Sequence, residues 1–194
     1  MNHFTSRIPF LLVSLTLSLA SVSSRPKSAK ANEPPDNAEL VSLNSSDNSL
    51  LDLTNQILID SVNRMGNFPT GSGYSPEITQ NGKLACMWSV NQVLKNAGLR
   101  PLGNDTLLVL EAREELLQGR GLPISQLDAQ PGDLVIIDAG GWTQHIGICL
   151  DRNCTRVKSN SSDRASFSWI SNSQFEHPGS PYHSVTPEIW RLKN

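Results

Sequence analysis

The chain has 194 residues, with 16 basic and 18 acidic side chains, a formal net charge of −2 and 38% hydrophobic residues. Once a leader is set aside this is the size of one domain, and the charge balance excludes both a strongly basic nucleic-acid binder and an acidic disordered tail. No apolar run reaches the roughly 20 residues that a membrane-spanning helix needs.

Arg7, Arg25, Lys27 and Lys30 are the only charged residues among the first 31, leaving a mildly acidic remainder near −6. Arg7 precedes the largely apolar stretch Ile8–Ala20 and the serine-rich Ser21–Ser24. This is the order of a secretory signal: basic, apolar, then small residues. Cleavage fits after Ala20 or after Ala31, and the alternative is an uncleaved membrane anchor. The expected signal peptide is 1–31, its destination secreted or periplasmic, with no membrane association once it is removed and with disulfides permitted.

Residues 32–49 carry Pro34-Pro35 and several Asn, Ser and Asp, and read as a flexible tether. The domain proper is expected over 50–194. Leu50, Leu53, Ile57 and Val62 predict an amphipathic helix ending at Gly66. Glycines and prolines make 67–83 a long loop. A second helix is predicted over Ala85–Ala97, with Met87, Val90, Leu94 and Ala97 on one face and Gly98 and Pro101 behind it. A third is predicted over Asp105–Gln118, with Asp105 as N-cap and Gly119 as stop.

The periodicity then changes. Pro131-Gly132 signals a turn, and Asp133–Asp138 and Gln144–Leu150 read as buried strands. Further strands are predicted from about Cys154, over Phe167–Ile170 and over Ile189–Leu192. Helices first and strands afterwards give an α+β fold with an antiparallel sheet.

Cys86 falls at a helix start behind a glycine-rich loop, where the helix dipole favours a thiolate. An effect of up to about 2 kcal/mol lowers a thiol from about 8.5 to roughly 7, so a nucleophile needs a further partner, usually an imidazole. His145, at the start of a buried strand, is the natural one; His3 lies in the leader, and His177 and His183 in a Pro/Gly-rich segment. Cys149 and Cys154 flank a short turn and are placed for a disulfide, which leaves Cys86 as the odd thiol. The competing reading is a metal site built from Cys86, His145, Cys149 and Cys154, although no C-x-x-C pair is present.

Leu84-Ala85-Cys86-Met87-Trp88, Pro131-Gly132-Asp133-Leu134-Val135 and His145-Ile146-Gly147-Ile148 follow the order and approximate spacing of the NlpC/P60 and CHAP cell-wall peptidases. The chain resembles these members of the papain-like superfamily over roughly residues 70–170. The resemblance implies a papain-like α+β fold, a Cys86 nucleophile, a His145 base, and hydrolysis of amide bonds in peptidoglycan peptides without metal or other cofactor. It departs from the commonest pattern in two places. Ala85-Cys86-Met87-Trp88 replaces acid-cysteine-serine-glycine, and a third polar residue about a dozen positions after His145 would fall on Val157. A CHAP-like pattern points instead to Asn160. Were Cys149 to pair with Cys154 across two strands, Lys158 would face His145 and Asn160 would be a diagonal neighbour on the same face.

Tyr74 and Trp88 are read as substrate-binding, Tyr74 because its loop should border the cleft; Trp88, Trp142 and Trp169 could line a groove or serve the core. Asp133 and Asp138 bracket a strand and read as structural. Asn44, Asn104, Asn153 and Asn160 each open a glycosylation sequon that matters only in a eukaryotic secretory route. The expected partners are peptidoglycan peptides, not nucleic acid, and the expected state is a monomer. The competing classes are a non-catalytic papain-like binding module, and a transferase or thioesterase using the same Cys-His dyad.

Overall fold

The structure, a computed structural model, describes residues 37–140, 143–161, 167–171, 175 and 182–193. The expected signal peptide and Trp142 lie outside these residues. Among the described residues no helix is long and apolar enough to cross a membrane.

Helix α1 spans Asn37–Met65. The segment 37–49, expected as tether, is therefore helical. Ala38, Glu39, Leu40 and Leu43 are good helix formers whose signal the neighbouring Asn and Ser residues obscure. The helix ends at Gly66, whose φ of +60° is the left-handed stop. Its buried face is rotated from the predicted one. Leu50 and Leu53 are 62% and 55% exposed, whereas Thr54, Asn55, Leu58, Ser61 and Val62 are buried. Polar contacts explain the rotation: Ser61 Oγ donates to the Val93 carbonyl at 2.9 Å, and Asn55 donates to Asp133 at 2.6 Å.

A two-residue strand β1 (Phe68–Pro69) and a 3-10 turn at Glu77–Thr79 interrupt the long loop. Helix α2 spans Ala85–Asn96, as its spacing predicts. Helix α3 is shorter than predicted, at Val109–Glu115, and continues as a π turn over Leu116–Arg120. Asp105 is not its N-cap. Asp105 closes the preceding 3-10 turn with φ +67° and pairs with Lys95. Buried Asn91 accordingly reaches this loop, accepting from the Leu102 N–H at 2.8 Å and donating to the Leu102 and Thr106 carbonyls.

The remaining strands are β2 (Gly121–Ile124), β3 (Leu134–Asp138), β4 (Gln144–Cys149), β5 (Val157–Ser161), β6 (Ser168–Ser171) and β7 (Glu188–Leu192). They form one antiparallel sheet in the order β1-β6-β5-β4-β3-β7-β2. The fold is α+β. Leu134, Ile136, Ile146, Ile148 and Trp169 share a core with Met87, Val90 and Leu94 of α2. Val135, Cys149, Cys154, Val157 and Ile189 form a second apolar cluster. Alternate residues of β3 thus enter different clusters, which accounts for its unbroken apolar run.

Cys149 and Cys154 form a disulfide with Cα atoms 4.8 Å apart. They are not a cross-strand pair. Cys154 ends a 3-10 turn at Arg152–Cys154, in which Asn153 and Cys154 both take positive φ. The partner of Cys149 across the sheet is Val157, and Gly147 faces Ser159. This three-residue shift reverses the side-chain parity of β5 relative to His145.

The Pro131-Gly132-Asp133 turn is pinned by packing and charge. A Cβ on Gly132 would come within 2.5 Å of the Asn55 carbonyl oxygen. Asp133 is fully buried and accepts from Asn55, from the Gln130 N–H at 2.8 Å, and from Arg191 Nε and Nη2 at 2.9 and 3.0 Å. Removing one member of a buried charge pair typically costs about 3–5 kcal/mol. Asp133→Ala is expected to lower unfolding stability by about that amount, read as a fall in the urea midpoint; a loss below about 1 kcal/mol, the range of an exposed pair, would contradict this role.

Candidate active site

Cys86 lies in the first turn of α2, which has no side-chain N-cap and no acidic residue in that turn. Its position is set by the loop in front of it. Gly82, at φ +98°, packs so closely that a Cβ would meet Phe167 at 2.6 Å and the Thr70 carbonyl oxygen at 2.7 Å. Buried Asn160 donates its amide N–H to the Gly82 carbonyl at 2.8 Å and accepts from the Thr70 hydroxyl. The Thr79 hydroxyl accepts from the Gly82 N–H at 3.3 Å, and the Thr79 carbonyl from the Leu84 N–H at 2.9 Å. These bonds fix the main chain immediately before Cys86.

The free Cys86 thiol and the His145 imidazole line one cleft of about 840 Å³. Gln80, Lys83 and Gln144 supply polar side chains to it, Leu84 and the 107–110 segment an apolar wall, and Phe167 and Tyr182 aromatic rings. Met87, Ile146 and Cys86 each direct a main-chain N–H at the sulfur, which favours the thiolate, but burial outweighs them and pushes the thiol up to about 11. The helix start is expected to lower the thiol to roughly 7 at best, with an imidazole partner needed beside it; in the folded protein the thiol is raised instead. Desolvation is the larger effect.

His145 is likewise buried, and desolvation lowers it to about 4 against a hydrogen bond with the Asn160 main chain that acts to raise it. Its Nε2 lies 3.1 Å from Ser159 Oγ. The Tyr182 ring stacks on the imidazole with centroids 5.0 Å apart, and Phe175 lies tilted at 5.2 Å. Burial, together with the Cys86 charge, raises the Tyr182 phenol. Among the described residues no hydrogen bond joins Cys86 to His145. The resting pair is neutral.

The remaining expected site residues are placed differently. The Asn160 side chain, engaged with Thr70 and Gly82, does not reach the imidazole; the shifted register turns it towards the loop before α2 and brings Ser159 to His145 instead. Tyr74 is 67% exposed and lines no part of the cleft. Trp88, half-buried, makes an edge contact with Phe68, and Trp169 is a fully buried core residue stacked on the same ring; neither lines the cleft of Cys86 and His145. The Cys149–Cys154 bridge takes two of the four side chains that the alternative metal site required.

Gln80, Ser159 and Tyr182 are the additions that the geometry makes. Gln80 enters only as a residue lining the cleft, in a Gln-Asn-Gly turn that by itself marks a loop. Ser159 depended on the register, and Tyr182 on a segment distant in sequence. Comparison with protein-family models, with characterised proteins and with solved structures finds no match to this chain.

Two measurements check the electrostatics. Alkylation without reduction should label Cys86 alone, with a rate that climbs about ten-fold per pH unit from 7 to 10, since only the thiolate reacts; a plateau below pH 8 would contradict a buried, neutral thiol. His145 prefers its neutral form when folded, so folding resists its protonation. Its effect is absent above pH 6.5, and stability falls as pH drops from there towards 4, by about 3 kcal/mol in all. His145→Phe should flatten that part of the stability profile, and an unchanged slope would refute the assignment.

Proposed function

We propose that the protein is an exported cysteine hydrolase, a peptidase or amidase acting on amide bonds of peptidoglycan peptides, built on a papain-like fold. The observation that carries this reading is the free thiol at the start of α2 sharing a cleft with an oriented imidazole at the start of β4. The resemblance of the Cys86, Pro131-Gly132-Asp133 and His145 segments to NlpC/P60 and CHAP peptidases supports the substrate class. The basic-apolar leader supports export to a secreted or periplasmic location, and the bridge at Cys149–Cys154 agrees with an oxidising destination.

In this mechanism His145 takes the thiol proton of Cys86 as sulfur attacks the amide carbonyl. The transfer accompanies attack, because the buried resting pair holds no charge. Negative charge developing on the carbonyl oxygen meets the uncapped N–H groups at the start of α2 and the Gln80 amide. His145, held by Ser159, then protonates the departing amine. Water, deprotonated by the same imidazole, attacks the thioester and releases the acid and the thiol. Asn160 acts at one remove, by fixing the loop in front of the nucleophile.

A second reading, a peptidoglycan-binding module without turnover, is favoured by one observation: the thiol raised to about 11 and the imidazole lowered to about 4 make an ion pair costly at rest. The two readings separate on new amino termini released from purified peptidoglycan. Cys86→Ala and His145→Ala should each abolish release, Gln80→Ala should cost roughly 10²–10³-fold in kcat, and Ser159→Ala should leave a measurable residue because only orientation is weakened. Sedimentation with peptidoglycan but no release by the unaltered protein would establish the binding module.

A further inference from the structure

His145 has to carry a positive charge for as long as it holds the proton of Cys86, and burial has stripped it of the water that would receive that charge. Few titratable groups among the described residues surround it. Helix α2 contributes Cys86, and the loop before α2 contributes Lys83. Strand β3 sets Ile137 opposite the imidazole and ends in exposed Asp138, which accepts from Gln144 at 3.2 Å. Strand β5 brings Ser159 and the Asn160 main chain, and His183 borders the adjoining smaller cavity. No carboxylate of the described residues lines the cleft. What does touch the imidazole is an aromatic face. The Tyr182 ring lies 14° from parallel to it with centroids 5.0 Å apart, so faces rather than edges meet, and Phe175 adds a second ring at 5.2 Å, tilted by 35°. An aromatic face carries negative potential, and a cation within about 6 Å of the centroid is attracted to it. An aliphatic side chain in the same place would exclude as much water and return nothing to the charge.

We propose that the ring face of Tyr182 stabilises the imidazolium that His145 becomes, which makes Tyr182 a positioning residue acting through the base rather than on the substrate. The proposal rests on the reading of His145 as the base that serves Cys86. In that step the S–H bond breaks, and its electron pair stays on sulfur and forms the bond to the amide carbonyl carbon. The proton forms an N–H bond on the imidazole. The ring stays positive until the proton passes to the departing amine, and through that interval Tyr182 lies against it. A neutral imidazole gains less from the same face, so the contact favours the charged transition state over the resting pair. Tyr182 is held for this role by its own turn, its carbonyl accepting from the Val185 N–H at 3.1 Å, and its half-buried ring forms a wall of the cleft and of the smaller cavity.

The test weakens the face without changing its shape. Tyr182→Phe removes the hydroxyl and keeps the ring. Mono-, di- and trifluorophenylalanine at the same position then withdraw electron density from the face in steps, with packing nearly constant. The full chain, with its disulfide intact, is followed by NMR from pH 7 to pH 4, and the His145 ring signal is identified by its loss in His145→Phe. At pH 4 the unaltered imidazole should be about half protonated, and Tyr182→Phe should match it. The trifluoro ring should leave about a tenth protonated, a shift of about one pH unit and within what a desolvated cation–π contact supplies. Protonation unchanged along the series would overturn the proposal and leave Tyr182 as a wall that excludes water. So would a shift in Tyr182→Phe as large as that of the trifluoro ring, which would assign the effect to the hydroxyl. In turnover, release of amino termini from peptidoglycan should lose about ten-fold in kcat between Tyr182→Phe and the trifluoro ring, with KM unchanged. A constant kcat along a series whose titration shifts would equally overturn the proposal. Failure of the hydrolase reading looks different: peptidoglycan stays intact while protonation of His145 still tracks the fluorine count.

Discussion

Asp133 is the charge around which the described fold is organised. A fully buried carboxylate is tolerated only when its lone pairs are satisfied, and here each donor comes from a different part of the chain. Asn55 brings α1, Gln130 the turn before β3, and Arg191 the strand β7. The pair also favours the charged guanidinium, raising Arg191 further. With β3 fixed between β4 and β7, its register sets Ile137 opposite His145. The placement of the imidazole therefore descends from a carboxylate that takes no part in the chemistry.

Around the thiol the same low-dielectric logic has the opposite outcome. Moving the proton from a thiol near 11 to an imidazole near 4 is uphill by about 10 kcal/mol before the new charges attract. Unit charges about 4 Å apart return only about 4 kcal/mol at an effective dielectric of 20. A neutral resting pair follows. Main-chain N–H groups aimed at the sulfur offset part of the cost, and further stabilisation has to come from a substrate whose oxyanion takes up the negative charge.

Much of this architecture was legible in the sequence where a local pattern and a tertiary demand coincide. Helix α2 has apolar spacing and a glycine stop; β3 and β4 are apolar runs beyond a Pro-Gly turn; cysteine spacing indicated the bridge. The misses have physical causes. β1 and β2 each contain a proline, Pro69 and Pro123, which demotes a strand signal although both strands lie at sheet edges where a missing N–H is tolerated. The face of α1 is set by Asn55 and Ser61 reaching buried partners, so counting leucines alone selects the wrong side. The largest consequence came from the turn after β4. Left-handed Asn153 and Cys154 carry no glycine signal, and the added residues exchange Ser159 for Asn160 beside the imidazole.

The residues that cover His145 show why the site could not be assembled from its motif alone. Phe175 and Tyr182 flank the imidazole, while the motif containing it supplies neither ring. Tyr182 also borders a smaller cavity of about 310 Å³ next to Cys154 and Val157, so one side chain forms a wall of both spaces. The low basicity of His145 arises from desolvation, and desolvation is a property of what surrounds a group rather than of its immediate neighbours in sequence. A strand histidine read in isolation would titrate near 6.5. The same residue beneath two aromatic rings stays neutral well below that pH, available to accept a proton whenever attack by sulfur makes one available.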